Sequence, residues 1–320
     1  MTMIECCIDF NVDDRVNSIK QLLKHLSPIA DSNDPNERII NLKRCQYLGP
    51  DAVALLGAVI LDSREQGAKL QIVPPDSPSE LRNFFRLSGL ETLAKGVQFD
   101  EELGLGQTRP VLPLRQVRSA SFHDADPIIH MLQQYGRFKE EFEEYLRICV
   151  NEVIQNIKDH ANSRIGGLMT ARFMEKTREV RVAIVDRGVG ICTTLSRRWP
   201  DTNAQNVMPR VLEGSYSARS RKNNLGLGIS NLAAIIKQLG GVLFILSERS
   251  AAEVLRDGDV GFQVYRSHSR APASSSRFRW AIEWLNPTTR RMEPCRYELR
   301  TTSTPKARSC IAGWPWRTLC

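Results

Sequence analysis

Short apolar runs and helical periodicities take turns along the first hundred residues. MIECCIDF (3–10) and ERIINLKR (37–44) predict strands, and VNSIKQLLKHL (16–26) between them repeats its apolar residues at helical spacing. GPDAVALLGAVILDSREQGAK (49–69) predicts a helix with Pro50 near its start and an apolar stripe of Val53, Leu56, Val59 and Ile60. KLQIVP (69–74) predicts a buried strand. SPSELRNFFRLSGLETL (77–93) predicts a helix that opens on Ser/Pro punctuation and closes at Gly89. Together these make a small α/β unit. FDEELGLGQTRPVLPLRQVR (99–118), with two prolines and two glycines, reads as a linker. Beyond it a long helical pattern runs from about Pro127 to Ala161, and strand-like GGLMTARFM (166–174) and EVRVAIVD (179–186) follow. A polar stretch, the helix LGISNLAAIIKQLG (227–240) and the strand GVLFILSE (241–248) complete a second α/β region. The expected organisation is one α/β domain over 1–100, a linker over 101–120, a second α/β domain over 121–265, and a tail over 266–320.

At 320 residues, 42% hydrophobic and 25% charged, the chain has the size and composition of a two-domain globular protein. No apolar run approaches the roughly 18 residues of a membrane span. MTMIECCIDF lacks the basic and apolar regions of a secretory signal, so the expectation is a cytoplasmic protein with no membrane partner. The eight cysteines form no CxxC pair and no zinc-ligand spacing, which fits reduced, packed thiols. The net charge of +8 suggests nucleic acid until it is located. Residues 266–320 carry eleven Arg+Lys against three Asp+Glu, which leaves 33 of each sign in residues 1–265. The body of the protein is therefore neutral, which argues against nucleic acid as its partner. The tail also holds four of the five tryptophans, Trp280, Trp284, Trp314 and Trp316. A basic, aromatic nucleic-acid tail and a disordered appendage are both open for it.

Three stretches carry more polar chemistry than packing needs. In NEVIQNIKDHA (151–161), Glu152, Asn156 and His160 fall at i, i+4 and i+8 and so line one helix face, with Asp159 beside them. In VRVAIVDRGVGI (180–191), Asp186 ends a buried strand and is followed by Gly188 and Gly190, which let a flat ligand edge approach the backbone. KNNLGLGISNL (222–232) sets Gly226, Leu227 and Gly228 at a helix start, where backbone N–H groups bind anions. Each glycine motif alone is weak evidence. Their order and spacing within one α/β unit carry the argument.

In that order NEVIQNIKDHA, DRGVG and NNLGLG closely resemble the N-box and the two glycine boxes of the GHKL ATPase superfamily, over roughly 137–247. Gyrase, the large heat-shock chaperone, sensor histidine kinases and anti-sigma-factor serine kinases share that superfamily. The resemblance implies a Bergerat-type two-layer α/β sandwich with a mixed sheet, holding ATP and Mg²⁺. It implies that Asn156 holds Mg²⁺ through its amide oxygen, a hard ligand for a hard cation. Asp186 would accept a hydrogen bond from the adenine amino group. Guanine offers a carbonyl at that edge, and two facing acceptors would cost about 1–3 kcal/mol, so ATP is expected over GTP. Glu152 is the catalytic candidate, orienting or deprotonating the attacking group. Asp159 is implied to meet the nucleotide directly or through water. His160 is open between a phosphate contact and a half-buried packed histidine. Gly188, Gly190, Gly226, Leu227 and Gly228 complete the cofactor-binding set with Arg221 and Lys222, which could neutralise phosphates. The polar stretch 192–224 is implied to be the family's ATP lid, with a plain solvated loop as the alternative.

Residues 36–95 resemble, by pattern, a STAS domain, the fold of anti-sigma-factor antagonists. Where phosphorylatable members carry Asp-Ser-Ser-Gly, this chain has Gly49-Pro50-Asp51-Ala52. That site lacks a hydroxyl, and Asp51 reads as a cap or a first-turn negative charge. An autophosphorylating histidine kinase is excluded, because His123-Asp124 leaves no room for a helical hairpin before Glu152 and Pro127 interrupts the pattern. Two functions remain. One is an ATP-dependent switch with slow ATPase activity in bacterial-type signalling. The other is a serine/threonine kinase of the anti-sigma-factor type acting on a partner. Both imply a protein partner in a regulatory pathway, and a homodimer is open. The family also closes on Gly-Thr and an apolar strand, from which this chain departs after VGFQVY (260–265). Read one base out of frame, RSHSRAPASSS (266–276) can encode FPFPGTGIVI, so a frameshift is a further hypothesis for the tail. An intact single frame through Arg266 in independent clones would overturn it.

Overall fold

Residues 52–61 are an unbroken apolar run containing one glycine, and a helix with no polar face must be covered all round. That requirement organises the structure. A computed structural model describes residues 2–5 (backbone only), 19, 21–26, 38–76, 78–96, 110–118, 121, 123–136, 140–214 and 228–265. The N-terminal elements are β1 (Thr2–Glu5), helical residues 21–26 (α1), β2 (Arg38–Asn41), α2 (Pro50–Glu65) and β3 (Leu70–Val73). The strands pair in parallel in the order β1-β2-β3. Parallel neighbours need crossovers, and α1 and α2 lie in them. Then come α3 (Ser79–Leu87) and α4 (Leu90–Ala94), parted at Gly89, whose φ of +78° suits glycine. Gly49 is the N-cap of α2 and Asp51 lies in its first turn, so Asp51 supplies first-turn charge and is not the cap.

The second region contains β4 (Val111–Val117), α5 (Asp126–Gly136), α6 (Glu140–Asn156), a π turn at Ile157–Ala161, β5 (Gly167–Met174) and β6 (Glu179–Asp186). It continues through α7 (Ile191–Ser196), α8 (Val207–Leu212), α9 (Gly228–Gln238), β7 (Leu243–Ser247), β8 (Ser250–Val254) and β9 (Val260–Val264). Two antiparallel ladders form, β4-β5-β6 and β7-β8-β9. Within each ladder every strand runs antiparallel to the next. The protein is thus a mixed α/β fold.

Every residue of β6 is buried, and its side chains divide by parity. Val180, Val182 and Ile184 enter one core with residues of α5, α6, α7, α8 and α9. Ala183 and Val185 enter a second core with α2, α3 and α4. The β7 and β8 side chains divide in the same way, with Leu243, Ile245 and Ala252 on one face and Phe244, Leu246 and Ala251 on the other. The N-terminal unit therefore forms a third layer over a face that a two-layer sandwich leaves to solvent. Helix α2 is its contact element, packed against β5 and β6. At Gly57 a Cβ would lie 3.1 Å from a Leu114 methyl and 3.2 Å from a Leu168 methyl. The expected stripe on α2 is accordingly a wholly covered helix, with 52–60 buried without a break.

Three other expectations change. Residues 111–117, expected within the linker, are strand β4, with a register irregularity between Leu112 and Arg115. Pro113 sits in that irregularity on an edge strand, where a missing N–H is tolerated. The backbone N–H of Leu114 donates to the Ser88 carbonyl at 2.8 Å and ties β4 to the N-terminal unit. The single long helix is two, α5 ending at Gly136 and α6 beginning at Glu140. The stretch expected as a lid contains α7 and α8, which bury Leu195, Val207, Met208, Val211 and Leu212. Between them Asn203 Oδ1 accepts from the N–H groups of Gln205 and Asn206, and Asn206 Oδ1 accepts from that of Asn203. Residues 215–227 and 266–320, with the frame question at 266, lie outside the described residues, as do five of the eight cysteines. Cys45, Cys149 and Cys192 are free thiols. Among the described residues no helix is long and apolar enough to cross a membrane.

Because α2 meets the sheet across a glycine, Gly57→Leu drives a branched side chain between Leu114 and Leu168. The expected loss is about 1–3 kcal/mol or more. Urea unfolding followed by circular dichroism measures it, and a single transition is expected because the two layers share one core.

Candidate functional site

Alternation along β6 sends Asp186 toward the layer that carries α6, and its side chain is fully buried. Asp186 pairs in register with Gly167 on β5. Ile157, first residue of the π turn, lies over Gly167 so closely that a Cβ there would stand 2.8 Å from its terminal methyl. The helix end that carries Asn156 thus sits over the strand pair that ends in Asp186. Asp186 Oδ1 accepts the Gly188 N–H at 2.6 Å, turning the chain sharply after the strand. The Val189 N–H then donates to the Ala161 carbonyl at 2.7 Å. Two of the three stretches singled out by sequence therefore touch through the backbone. The third opens α9 at Gly228, and α9 packs along α6.

The two loop glycines have identifiable partners. A Cβ on Gly188 would lie 2.2 Å from the Ala161 carbonyl oxygen. Gly190 has φ +90° and ψ 158°, a conformation essentially reserved for glycine, and a Cβ on it would overlap the Glu248 side chain. Glu248 lies in the β7–β8 turn at φ +54°. Its carboxylate accepts from the Cys192 N–H at 2.9 Å, the Thr193 N–H at 3.3 Å and the Thr193 hydroxyl. The Ile191 N–H donates to Ser247 Oγ at 2.8 Å. The first turn of α7 is thereby capped from another strand, its exposed N–H groups met by a hydroxyl and a carboxylate. Sequence reasoning missed Glu248, which belongs to none of the motifs. Its nearest signal is position, at the end of a buried strand.

Of the helix-face residues, Glu152, Asn156 and His160 are half-buried and Asp159 is exposed. The α-helix ends at Asn156, and residues 157–161 form a π turn. Its wider i→i+5 winding turns later residues off the α-helical row, so Glu152 and Asn156 share a face that His160 does not simply continue. Asn156, the N-cap of the π turn, makes no side-chain capping hydrogen bond. Asp159 Oδ1 accepts from Gln155 Nε2 at 2.8 Å. Gly226, Leu227, Arg221 and Lys222 fall outside the described residues. No group of three or more His, Cys, Asp and Glu side chains among the described residues could hold a metal. An amide-held Mg²⁺ that shares phosphate oxygens does not need one.

Asp186 is followed by a second buried charge. Arg187 turns to the opposite face, where its Nε and Nη2 donate to Asp62 Oδ2 of α2 at 3.1 and 2.8 Å. On the near side, burial and then the Glu152 carboxylate push the Cys149 thiol up to about 12.

Gly188→Ala is expected to part the loop from Ala161, with a loss of about 1–3 kcal/mol in urea unfolding. Cys149 should stay unmodified by iodoacetamide at pH 8 in the folded protein and react once unfolded in urea, read by mass spectrometry. The same shift has a sign for stability. A thiol held protonated stabilises the fold below its ordinary value near 9, and that contribution is lost as pH rises toward 12. No family model, no curated protein and no solved structure matches this chain.

Proposed function

We propose that this chain is a Mg²⁺–ATP-binding regulatory protein of the GHKL type with a STAS-like N-terminal unit. In this reading it acts as an ATP-dependent switch with slow hydrolysis. The observation that carries the reading is the Val189–Ala161 backbone contact, which joins the end of NEVIQNIKDHA to the loop after the buried Asp186. Residues 25 and more apart in the chain thus border one region, and their chemistry matches the parts of one ligand.

Asp186 would accept the exocyclic amino group of adenine, with its other contact to Gly188 fixing the carboxylate plane. Asn156 would hold Mg²⁺ by its amide oxygen, and the ion would supply positive charge against the phosphates. Glu152, on the same helical face one turn earlier, would orient or take a proton from the attacking group. The positive end of α9, eleven residues long and opening at Gly228, would receive phosphate. A switch follows if nucleotide favours one conformation of the protein over another. A serine/threonine kinase acting on a partner uses the same groups and differs only in what attacks.

Equilibrium binding of a fluorescent ATP analogue with Mg²⁺ tests the reading. Wild type should bind, GTP should compete at least about tenfold less well than ATP, and Asp186→Asn should lose about tenfold or more. Asn156→Ala should remove the Mg²⁺-dependent part of the affinity. Equal binding by wild type and Asp186→Asn would defeat the site assignment. Labelled γ-phosphate appearing on a lysate protein would favour the kinase, and release of free phosphate alone would favour the switch.

A further inference from the structure

We propose that the N-terminal unit supplies a positioning residue to the candidate nucleotide site from the far side of the sheet. That residue is Asp62, which acts through Arg187 on the 186–190 loop. The proposal rests on the ATP reading above and deepens it.

Asp186 and Arg187 are consecutive, and the pleat sends their side chains to opposite faces. Asp186 faces the α6 layer and is fully buried, whereas Arg187 faces α2 and is nearly so. Three donors converge on one Asp62 oxygen: Arg187 Nε, Arg187 Nη2 and Gln66 Nε2, at 3.1, 2.8 and 3.0 Å. The Arg187 backbone N–H donates to Ser163 Oγ at 3.3 Å, so the residue is held at both ends. Helix α2 holds Asp62 by packing on β5 and β6. The loop has no slack on its other side, where Gly188 lies against the Ala161 backbone.

Removing one member of a buried pair leaves the other charge uncompensated. Arg187 would then have to move toward water, and the peptide it shares with Asp186 would move with it. A displacement of Asp62 by a shift of α2 has the same effect on the loop. The site that reads the base is therefore linked to the packing of the N-terminal unit, and linkage is reciprocal. Nucleotide on the α6 side should tighten α2 on the other.

The test uses the full chain. Asp62→Asn and Arg187→Gln should each weaken binding of the fluorescent ATP analogue about tenfold or more, and the double variant should be no weaker than the worse single. Tyr47→Phe is the control for general loosening. It removes another bond between the layers, Arg181 Nη1 to Tyr47 Oη at 2.8 Å, and should leave affinity within about twofold. Asp62→Glu should recover part of the affinity. In wild type, ATP should slow amide hydrogen exchange across 60–66, a readout that needs no variant to fold and no turnover. Wild-type affinity in Asp62→Asn, with Asp186→Asn impaired, would overturn the coupling and leave the ATP reading standing. Unchanged exchange at 60–66 on saturation, or an equal loss in Tyr47→Phe, would also overturn it. Failure of wild type to bind ATP would remove the reading and the coupling together.

Discussion

Strand β6 is buried on both faces, and the rest of the structure depends on that constraint. A strand with one wet face would alternate apolar and polar residues. In EVRVAIVD the alternation stops at Val182, and the apolar run Val182–Val185 needs two covers. The α5–α9 layer covers one face and α2 the other, so the two halves of the chain are joined by a shared core rather than by a surface contact. Such a core leaves little freedom for one half to move while the other stands still. The charged residues on the α2 face obey the same constraint. Arg181 lies between the Tyr47 hydroxyl and Glu179, which also accepts from Arg256. Arg187 is met by Asp62. Each buried charge on this face has an opposite charge beside it, as the low-dielectric interior demands.

The loop after β6 shows how local chemistry serves this arrangement. Its glycines are required by the protein's own groups: Gly188 by the Ala161 carbonyl and Gly190 by the Glu248 carboxylate. The loop is clamped between the end of the π turn and the β7–β8 turn, and Asp186 is held at its base. A rigid acceptor at a strand end, fixed from both sides, is suited to discriminating one flat polar edge from another. The glycines thus stiffen the loop by letting these two groups approach its backbone.

Much of the fold was legible because periodicity reports burial directly. The strands and helices of the first hundred residues, the pair β5–β6 and the helix α9 all follow from apolar spacing. The misread segments have physical reasons. In VLPLRQV the proline suggested a linker, yet an edge strand with an irregular register tolerates it. In 192–214 only two short apolar clusters stand among polar residues, and an Asn203–Asn206 turn joins them into helices. SAAEV has little strand character of its own, and β8 forms because β7 and β9 flank it. Glu152, Asn156 and Asp186 were visible as surplus polar groups. Glu248 and Asp62 were not, since each acts on a residue more than fifty positions away.

Local information thus settled the α/β class, the position of most elements and the identity of the polar groups on the helix 151–156. Those properties depend on neighbours within one or two turns or on alternate positions in one strand. Tertiary structure alone decided that α2 lies against β6, that Arg187 meets Asp62, and that Gly190 makes room for Glu248. These are contacts between segments distant in the chain, and no periodicity within either segment encodes its partner. The stripe of Val53, Leu56, Val59 and Ile60 announced one buried face of α2. Only the folded chain showed 52–60 covered without a break, with the sheet ending in Asp186 as one cover.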